Sequence, residues 1–399
     1  MAHSPSARIG TPLPATAQRA PADEPLRIGI NILFLLPGGV GGTEIYTRNL
    51  LESLARINPV NTYFVFRNSE TEAAIVPDRP NFVDCPQRVR ATVRPARIVY
   101  EQTALVAAIV RRRLDVVLNF GYTAPLACPV PMVTVFYDLQ YKIHPEFFKK
   151  LDLVFWRLLL PASARRSRAI VAMSRAARAQ LETFYPWSRD RVRLVPHGIE
   201  RRFSEIANAR ERSSGFGRYL LAVSTLGPHK NYDGLLRAFA RYRATHPDVE
   251  LVIVGIKGTQ TDAIVRLRDH LGLAEAVTFT GWIPRERLYE LYENALAFVY
   301  ASRFEGFGIP VLEALAAGLP TACSEIPSLV EIAHGCARFF DPDDIDDIAA
   351  ALTELTDVPA ARDAIDAGRR RAGDYGWDAS AGDMVDTLRG AARPSRQTR

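Results

Sequence analysis

The sequence predicts an α/β protein built from two doubly wound, Rossmann-like domains that face each other across a central cleft. Three observations carry this. Short apolar, β-branched runs alternate with helical stretches from residue 26 to about residue 200, the pattern of parallel sheets covered by helices. The rhythm breaks at RRFSEIANARERSSGFG (201–217), which reads as a linker, and then restarts. Finally, 399 residues suffice for two domains of ordinary size.

Along the first half, LRIGINILFLL (26–36) is a buried strand without helical period. A Gly-rich turn leads from it into TEIYTRNLLESLARI, whose Ile45, Leu50, Leu54 and Ile57 share one helical face. Strands follow at 62–66, 115–120, 132–137, 169–173 and 192–196. The second half holds strands at 219–224, 249–255, 276–282, 296–301, 320–324 and 337–341. In open α/β sheets a ligand sits at the carboxyl ends of the strands, so the loops just after strands are where function is to be sought.

Composition narrows the classes. Hydrophobic residues make up 48% and charged residues 24%, which is globular and not disordered. No run approaches the ~18 apolar residues of a membrane span. The N-terminal 25 residues are rich in Ala, Pro and Ser without an apolar core, so they read as a disordered tail and not a signal peptide. Cys85, Cys128, Cys323 and Cys336 have neither metal-ligand nor disulfide spacing, which fits a reducing cytosol. A net charge of +6 suits phosphorylated small molecules, an anionic membrane or nucleic acid, or a solubilising excess of Arg. Lysine occurs only at 142, 149, 150, 230 and 257, so Lys230, in a loop, stands out.

The segment RFEGFGIPVLEALAAGLP (303–320) follows a strand and runs through Gly306 and Gly308 into a helix whose first turn holds Pro310. Free amides at such a helix start suit a phosphate or diphosphate. Glu313, one turn in, can accept hydrogen bonds from paired hydroxyls such as those of a ribose, and Glu305 can reach a group beyond the phosphates. VSTLGPHKNYDG (223–234) places Lys230 after another strand, where its ammonium can neutralise a diphosphate. PGGVGGTEIY (37–46) is a third glycine loop, carrying Gly41, Gly42, Thr43 and Glu44. It lacks the third glycine of the dinucleotide fingerprint, which disfavours a nicotinamide dehydrogenase. Tyr137 and Asp138 stand at a further strand end. The aromatic, basic stretch 147–166 suits either a membrane surface or packing on its own sheet. Asp341 and Asp343 form an Asp-x-Asp, but Asp343 or Asp344 is better read as a helix cap than as a metal ligand. No zinc spacing and no nucleophile elbow is present.

Together these loops resemble retaining glycosyltransferases of family 4, which have the two-Rossmann GT-B fold. The carrying residues are Glu305-Gly-Phe-Gly-Ile-Pro-Val-Leu-Glu313, Gly41-Gly42-Thr43-Glu44, DLQ…HPEFF, VPHG (195–198), PHKN (228–231), Gly281-Trp282 and YGWDASA (375–381). The resemblance implies a first, acceptor-side domain over 26–204, a nucleotide-sugar-binding domain over 205–374, and a C-terminal helix in 375–399 crossing back to the first domain. It implies a donor site made by Lys230, His229, Glu305, Gly306, Phe307, Gly308, Ile309, Glu313, Trp282 and Ile283. Glu305, Lys230, Asp138 and Tyr137 would serve catalysis, and the Gly41–Glu44 loop the acceptor or a phosphate. No metal and no cofactor is implied, the nucleotide-sugar being a co-substrate.

Two departures matter. Tyr137 stands where many members of the family have a histidine reaching the sugar, and Thr225 and His229 stand where many have an arginine beside the loop lysine. These changes point to mannose or a 6-deoxyhexose such as rhamnose, carried on GDP. The expected acceptor is a glycan or a polyprenyl-linked oligosaccharide of a surface polysaccharide. No nucleic-acid partner is expected, and the location is cytoplasmic with room for peripheral contact with the inner face of the plasma membrane. The competing readings are a nucleotide-sugar epimerase or hydrolase and a non-catalytic nucleotide-sugar binder.

Overall fold

The computed structural model describes residues 24–36, 41–212, 217–356 and 362–392. All but the last two residues of the expected N-terminal tail, and residues 37–40 of the first glycine loop, lie outside these ranges.

The first sheet consists of β1 (Arg27–Ile32), β2 (Thr62–Arg67), β3 (Phe82–Pro86), β4 (Val116–Asn119), β5 (Met132–Phe136), β6 (Ala169–Ala172) and β7 (Val192–Leu194). They lie in the order β3-β2-β1-β4-β5-β6-β7, and every pairing is parallel. The second sheet holds β8 (Tyr219–Val223), β9 (Glu250–Val254), β10 (Val277–Gly281), β11 (Ala297–Tyr300), β12 (Thr321–Ser324) and β13 (Arg338–Phe340). Their order is β10-β9-β8-β11-β12-β13, again all parallel. Strands β4, β5, β6, β11 and β12 are buried at every position because helices cover both faces, which is why they read as unbroken apolar runs. Strand β3 is not visible in the sequence: it is an edge strand that carries Asp84 and Pro86 and is only partly buried.

In each sheet the strand order reverses once, between β1 and β4 and between β8 and β11. Chains leaving those neighbouring strands diverge and open a crevice at their carboxyl ends. The loops after β8 and β11 are therefore neighbours in space although some 70 residues apart in sequence.

The stretch 201–217, expected to be a linker, is largely the helix Arg201–Glu211. Its polar composition hides an apolar stripe: Phe203 and Ile206 are buried against the second domain. Arg210 is buried too, donating to the carbonyls of Glu293 (2.7 Å) and Ala295 (2.8 Å). The chain crosses between the sheets earlier, at 195–200. There it runs beside the returning segment, Ile199 N–H bonding the Tyr375 carbonyl at 2.8 Å. A Cβ on Gly198 would come within 2.4 Å of the Trp377 nitrogen, so only glycine lets the two crossings touch. The final helix, Trp377–Ala392, then packs on the helix Gly42–Ile57 and on β4 and β5 of the first sheet. Arg168 ties its end down through the Ala391 carbonyl at 2.9 Å.

Candidate functional site

A cavity of about 570 Å³ lies between the facing carboxyl edges of the two sheets. The first domain contributes Gly41 to Glu44, Tyr137 and Asp138. The second contributes Lys230, Trp282, Ile283, Glu305 to Ile309 and Glu313. Of the residues named from sequence, only His229 is absent from the lining. Its carbonyl accepts from Arg303 N–H (2.7 Å) and the Ser302 hydroxyl (3.0 Å), tying together the loops after β8 and β11. The ring instead turns toward Phe147 of the first domain, 6.4 Å between centroids. Burial, with Lys230 beside it, lowers the pKa of His229 to about 4, so it is neutral at physiological pH.

Lys230 ends a short turn, Pro228–Lys230, and is followed by Asn231 in the left-handed conformation (φ 56°), which caps the next helix by accepting from Gly234 N–H at 3.3 Å. This turn aims the ammonium at the loop after β11. Lys230 Nζ donates to Glu305 Oε1 at 2.5 Å and to the Tyr300 hydroxyl at 3.1 Å, and that hydroxyl donates to the same Oε1 at 2.7 Å. Burial pushes Glu305 up, but Lys230, His229 and Tyr300 outweigh it and hold the carboxyl below its usual range. Glu305 is thus an anion in a nearly dry setting.

Beyond Glu305 the backbone turns through Gly306 and Gly308 into the helix Ile309–Ala316. Gly308 caps it at φ 114°, a conformation that demands glycine, and a Cβ there would also push the end of the Leu329 side chain, 2.4 Å away, aside. A Cβ on Gly306 would come within 2.0 Å of the Tyr137 carbonyl oxygen. The Ser174 hydroxyl donates to the Gly306 carbonyl at 2.6 Å, and Glu331 accepts from Arg175 N–H (2.9 Å) and Ala176 N–H (3.0 Å). The glycine turn is therefore pressed against the first domain and held there from both sides.

Glu313, at the far end of the turn, is almost completely buried. Its Oε1 accepts from Arg285 Nη2 at 2.6 Å and its Oε2 from the Tyr292 hydroxyl at 3.0 Å. The same Nη2 donates to Glu200 Oε1 at 2.9 Å, and Glu200 also accepts from Tyr289 and, at 3.3 Å, from Asn49 on the first domain. Burial works against the charge of Arg285, yet the two carboxylates hold its guanidinium above the ordinary range. Burial pushes Glu313 up, with Arg285 opposing.

On the first domain, Asp138 accepts from Gln140 N–H (2.9 Å) and the Tyr122 hydroxyl (3.1 Å), while burial raises its carboxyl pKa. The Tyr137 ring packs edge-on against Tyr46 and Tyr122, and its hydroxyl is enclosed without a hydrogen-bond partner. Tyr137 thus lines the cavity with its hydroxyl enclosed, whereas the family resemblance had placed it where a side chain reaches the sugar. His197 also lines the cavity, its pKa driven down to about 3 by burial.

The Asp-x-Asp stretch lies elsewhere. Asp344 caps the helix Ile345–Leu355, accepting from Asp346 N–H at 2.8 Å, and Asp343 pairs with Arg303 at 2.7 Å. Among the described residues no group of three or more His, Cys, Asp or Glu side chains is placed to hold a metal ion.

Sequence reasoning missed Arg285, Tyr300, Tyr292 and Glu200. Tyr300 had a readable signal, since it ends β11 directly before the loop. Arg285 had none, because in GWIPRERL it looks like any basic residue in a helical first turn.

A cation paired with one largely buried carboxylate, a glycine turn at a helix start and a second, fully buried carboxylate can together grip a ligand that carries both anionic groups and hydroxyls. The comparisons agree with that chemistry. The family model described as "Glycosyltransferase Family 4" matches residues 40–203, and that described as "Glycosyl transferases group 1" matches residues 205–371. The chain is 28% identical to O-antigen chain mannosyltransferase B of Escherichia coli over 254 residues, 62% of this chain and 67% of that protein. It is 27% identical to the O-antigen chain mannosyltransferase RfbU of Salmonella typhimurium over 258 residues, 62% and 69% of the two chains. Sucrose-phosphate synthase from Thermosynechococcus elongatus superposes with a TM-score of 0.73 at 20% identity, covering 92% of this chain and 99% of that one.

Proposed function

The chain belongs to glycosyltransferase family 4 and is a glycosyltransferase of the GT-B fold, and on that premise we propose that it transfers mannose or a 6-deoxyhexose from a GDP-sugar to a glycan or polyprenyl-linked acceptor in surface polysaccharide synthesis. Transfer proceeds with retention and without a metal ion. The observation that carries this reading is that Glu305, with Lys230 bonded to it, and Glu313 line one cavity together with the Gly306–Gly308 turn that lies between them in the chain. Mannose as the sugar is supported by the two O-antigen mannosyltransferases to which the chain is similar.

In this reading the diphosphate lies over the glycine turn, where the helix start and Lys230 meet its charge. Glu313 accepts from the ribose hydroxyls and Glu305 from a hydroxyl of the sugar. As the bond from the anomeric carbon to phosphate breaks, negative charge grows on the departing oxygen beside Lys230. The acceptor hydroxyl attacks the face the phosphate is leaving and passes its proton to that oxygen, so the anomeric configuration is kept. Asp138 and the Gly41–Glu44 loop border the acceptor side.

The helix Lys150–Arg166 suits an acceptor carried in a membrane. Its outward face exposes Leu151 (86%), Val154 (59%) and Leu158 (70%), and Lys149, Lys150, Arg157 and Arg165 are exposed beside them. An apolar stripe among cations fits an anionic lipid surface. No helix among the described residues is long and apolar enough to cross a membrane.

The test is nucleotide release from GDP-mannose, a GDP-6-deoxyhexose and UDP-glucose, with and without polyprenyl-linked glycan acceptor, in EDTA. Acceptor-dependent GDP release with a retained anomeric configuration is expected. UDP release alone overturns the donor, and release that ignores the acceptor makes the protein a hydrolase or epimerase.

A further inference from the structure

The cleft contains a cation that neither the glycine loops nor the Glu-x7-Glu spacing announces. Arg285 opens the helix Arg285–Asn294 and lines the cavity at the Glu313 end. Its guanidinium is fixed on every side but one. Phe203 and Tyr289 lie 5.1 and 5.2 Å from its centre. Its Nε and Nη2 reach Glu200 at 3.3 and 2.9 Å, and Nη2 also reaches Glu313 at 2.6 Å. Nη1, with two N–H donors, has no hydrogen-bond partner among the described residues.

Glu313 is equally constrained. A carboxylate offers about four acceptor sites, and here Arg285 takes one on Oε1 and Tyr292 one on Oε2. One site is left on each oxygen, side by side, which suits two adjacent hydroxyls. Arg285 thereby sets the plane of the carboxylate and opposes the burial that pushes its pKa up. Glu200 sits on the crossing between the domains and is bonded to Asn49 of the first, so the arrangement also depends on the domains being together.

We propose that Arg285 is a positioning residue for the nucleoside half of the donor: it holds Glu313 in the orientation that accepts the ribose hydroxyls and offers Nη1 to an acceptor oxygen of the same nucleoside. This rests on the reading of the cleft as a nucleotide-sugar site and deepens it. Selectivity for ribose over deoxyribose is then a property of the Arg285–Glu313 pair and not of Glu313 alone.

The experiment is a titration of GDP, UDP, their 2′-deoxy counterparts and inorganic pyrophosphate into wild type, Arg285→Lys and Arg285→Met. Wild type is expected to bind the ribonucleotide at least ~10-fold more tightly than the deoxynucleotide, because a site built for a hydroxyl is left unpaired without it. Arg285→Met should bring that ratio to about 2-fold or less while pyrophosphate affinity is kept. Arg285→Lys, which keeps the charge but not the planar fork, should lie between and serves as the folded control. In turnover, KM should rise with kcat changed little, since the nucleoside is gripped equally in ground and transition states. A wild type that binds no nucleotide overturns the reading of the cleft. A wild-type preference for ribose that survives in Arg285→Met, or pyrophosphate affinity that falls as much as nucleotide affinity, overturns this inference alone.

Discussion

Lys230 Nζ stands 2.5 Å from Glu305 Oε1, and the Tyr300 hydroxyl bridges both. The partners come from the loops after β8 and β11, the two strands that flank the reversal of the second sheet. Without a donor the ammonium answers Glu305. A diphosphate arriving on the glycine turn would share it.

Replacing Lys230 with Met leaves Glu305 buried without its cation. Breaking such a pair costs about 3–5 kcal/mol, less what protonation of the orphaned carboxyl recovers. Denaturant unfolding should show lower stability, and nucleotide diphosphate affinity should fall by about 10–100-fold. The pH dependence has a definite sign. Glu305 lies below its ordinary value of 4.5 in the folded protein, so its contribution to stability is present above that value and is lost as pH falls through the lowered one. In Lys230→Met that acid-side loss should shrink.

Glu305→Ala should separate sugar handling from nucleotide binding. Transfer is expected to drop by about 100-fold or more, while GDP affinity changes by less than about 5-fold. Single-turnover transfer and calorimetric titration of GDP check this. Loss of GDP binding with intact transfer from bound donor would reverse the roles assigned to the two glutamates.

Gly306→Ala tests the closed arrangement. Its Cβ would fall 2.0 Å from the Tyr137 carbonyl oxygen, a backbone atom that cannot swing aside. The domains must then part. Because a displacement of about 1 Å at a reacting centre can cost ~100-fold, transfer should fall at least that much while thermal stability changes little.

How far the sequence reached follows from where each signal lives. Buried parallel strands announce themselves as apolar runs, so twelve of the thirteen strands and the restart of the rhythm in a second domain were legible, while the strand order within each sheet was not. Edge strand β3 was not, because half of it faces water. The helix Arg201–Glu211 was mistaken for a linker because few of its residues are apolar, and it is anchored by an arginine binding carbonyls. In the site, residues in glycine-marked loops after strands were readable. Arg285 and Glu200 were not, since each becomes meaningful only when the fold brings it to Glu313.

Tyr137→Phe distinguishes a hydroxyl that reaches the sugar from one buried in packing. The hydroxyl is enclosed and unpaired, so the variant should transfer within about 3-fold of wild type and be equally or slightly more stable. A fall of 100-fold with unchanged stability would put the hydroxyl on the substrate.

The exposed stripe on Lys150–Arg166 predicts binding to anionic vesicles. At about 1 kcal/mol per basic residue, Lys149→Glu, Lys150→Glu and Arg157→Glu together should weaken co-sedimentation with phosphatidylglycerol vesicles by about 100-fold. Leu151→Asp with Leu158→Asp should do the same. Neutral vesicles should bind weakly throughout, and turnover of a water-soluble acceptor should be unaffected.

The measurement that tests the account most directly is a thermal-shift panel of GDP, UDP, ADP, NAD and common nucleotide-sugars, each with and without EDTA. Stabilisation by one nucleoside diphosphate and its sugar, unchanged by EDTA, is the expected result, reaching about 2.7 kcal/mol at 100 times the dissociation constant. Stabilisation by NAD alone, or only when metal is added, would contradict it.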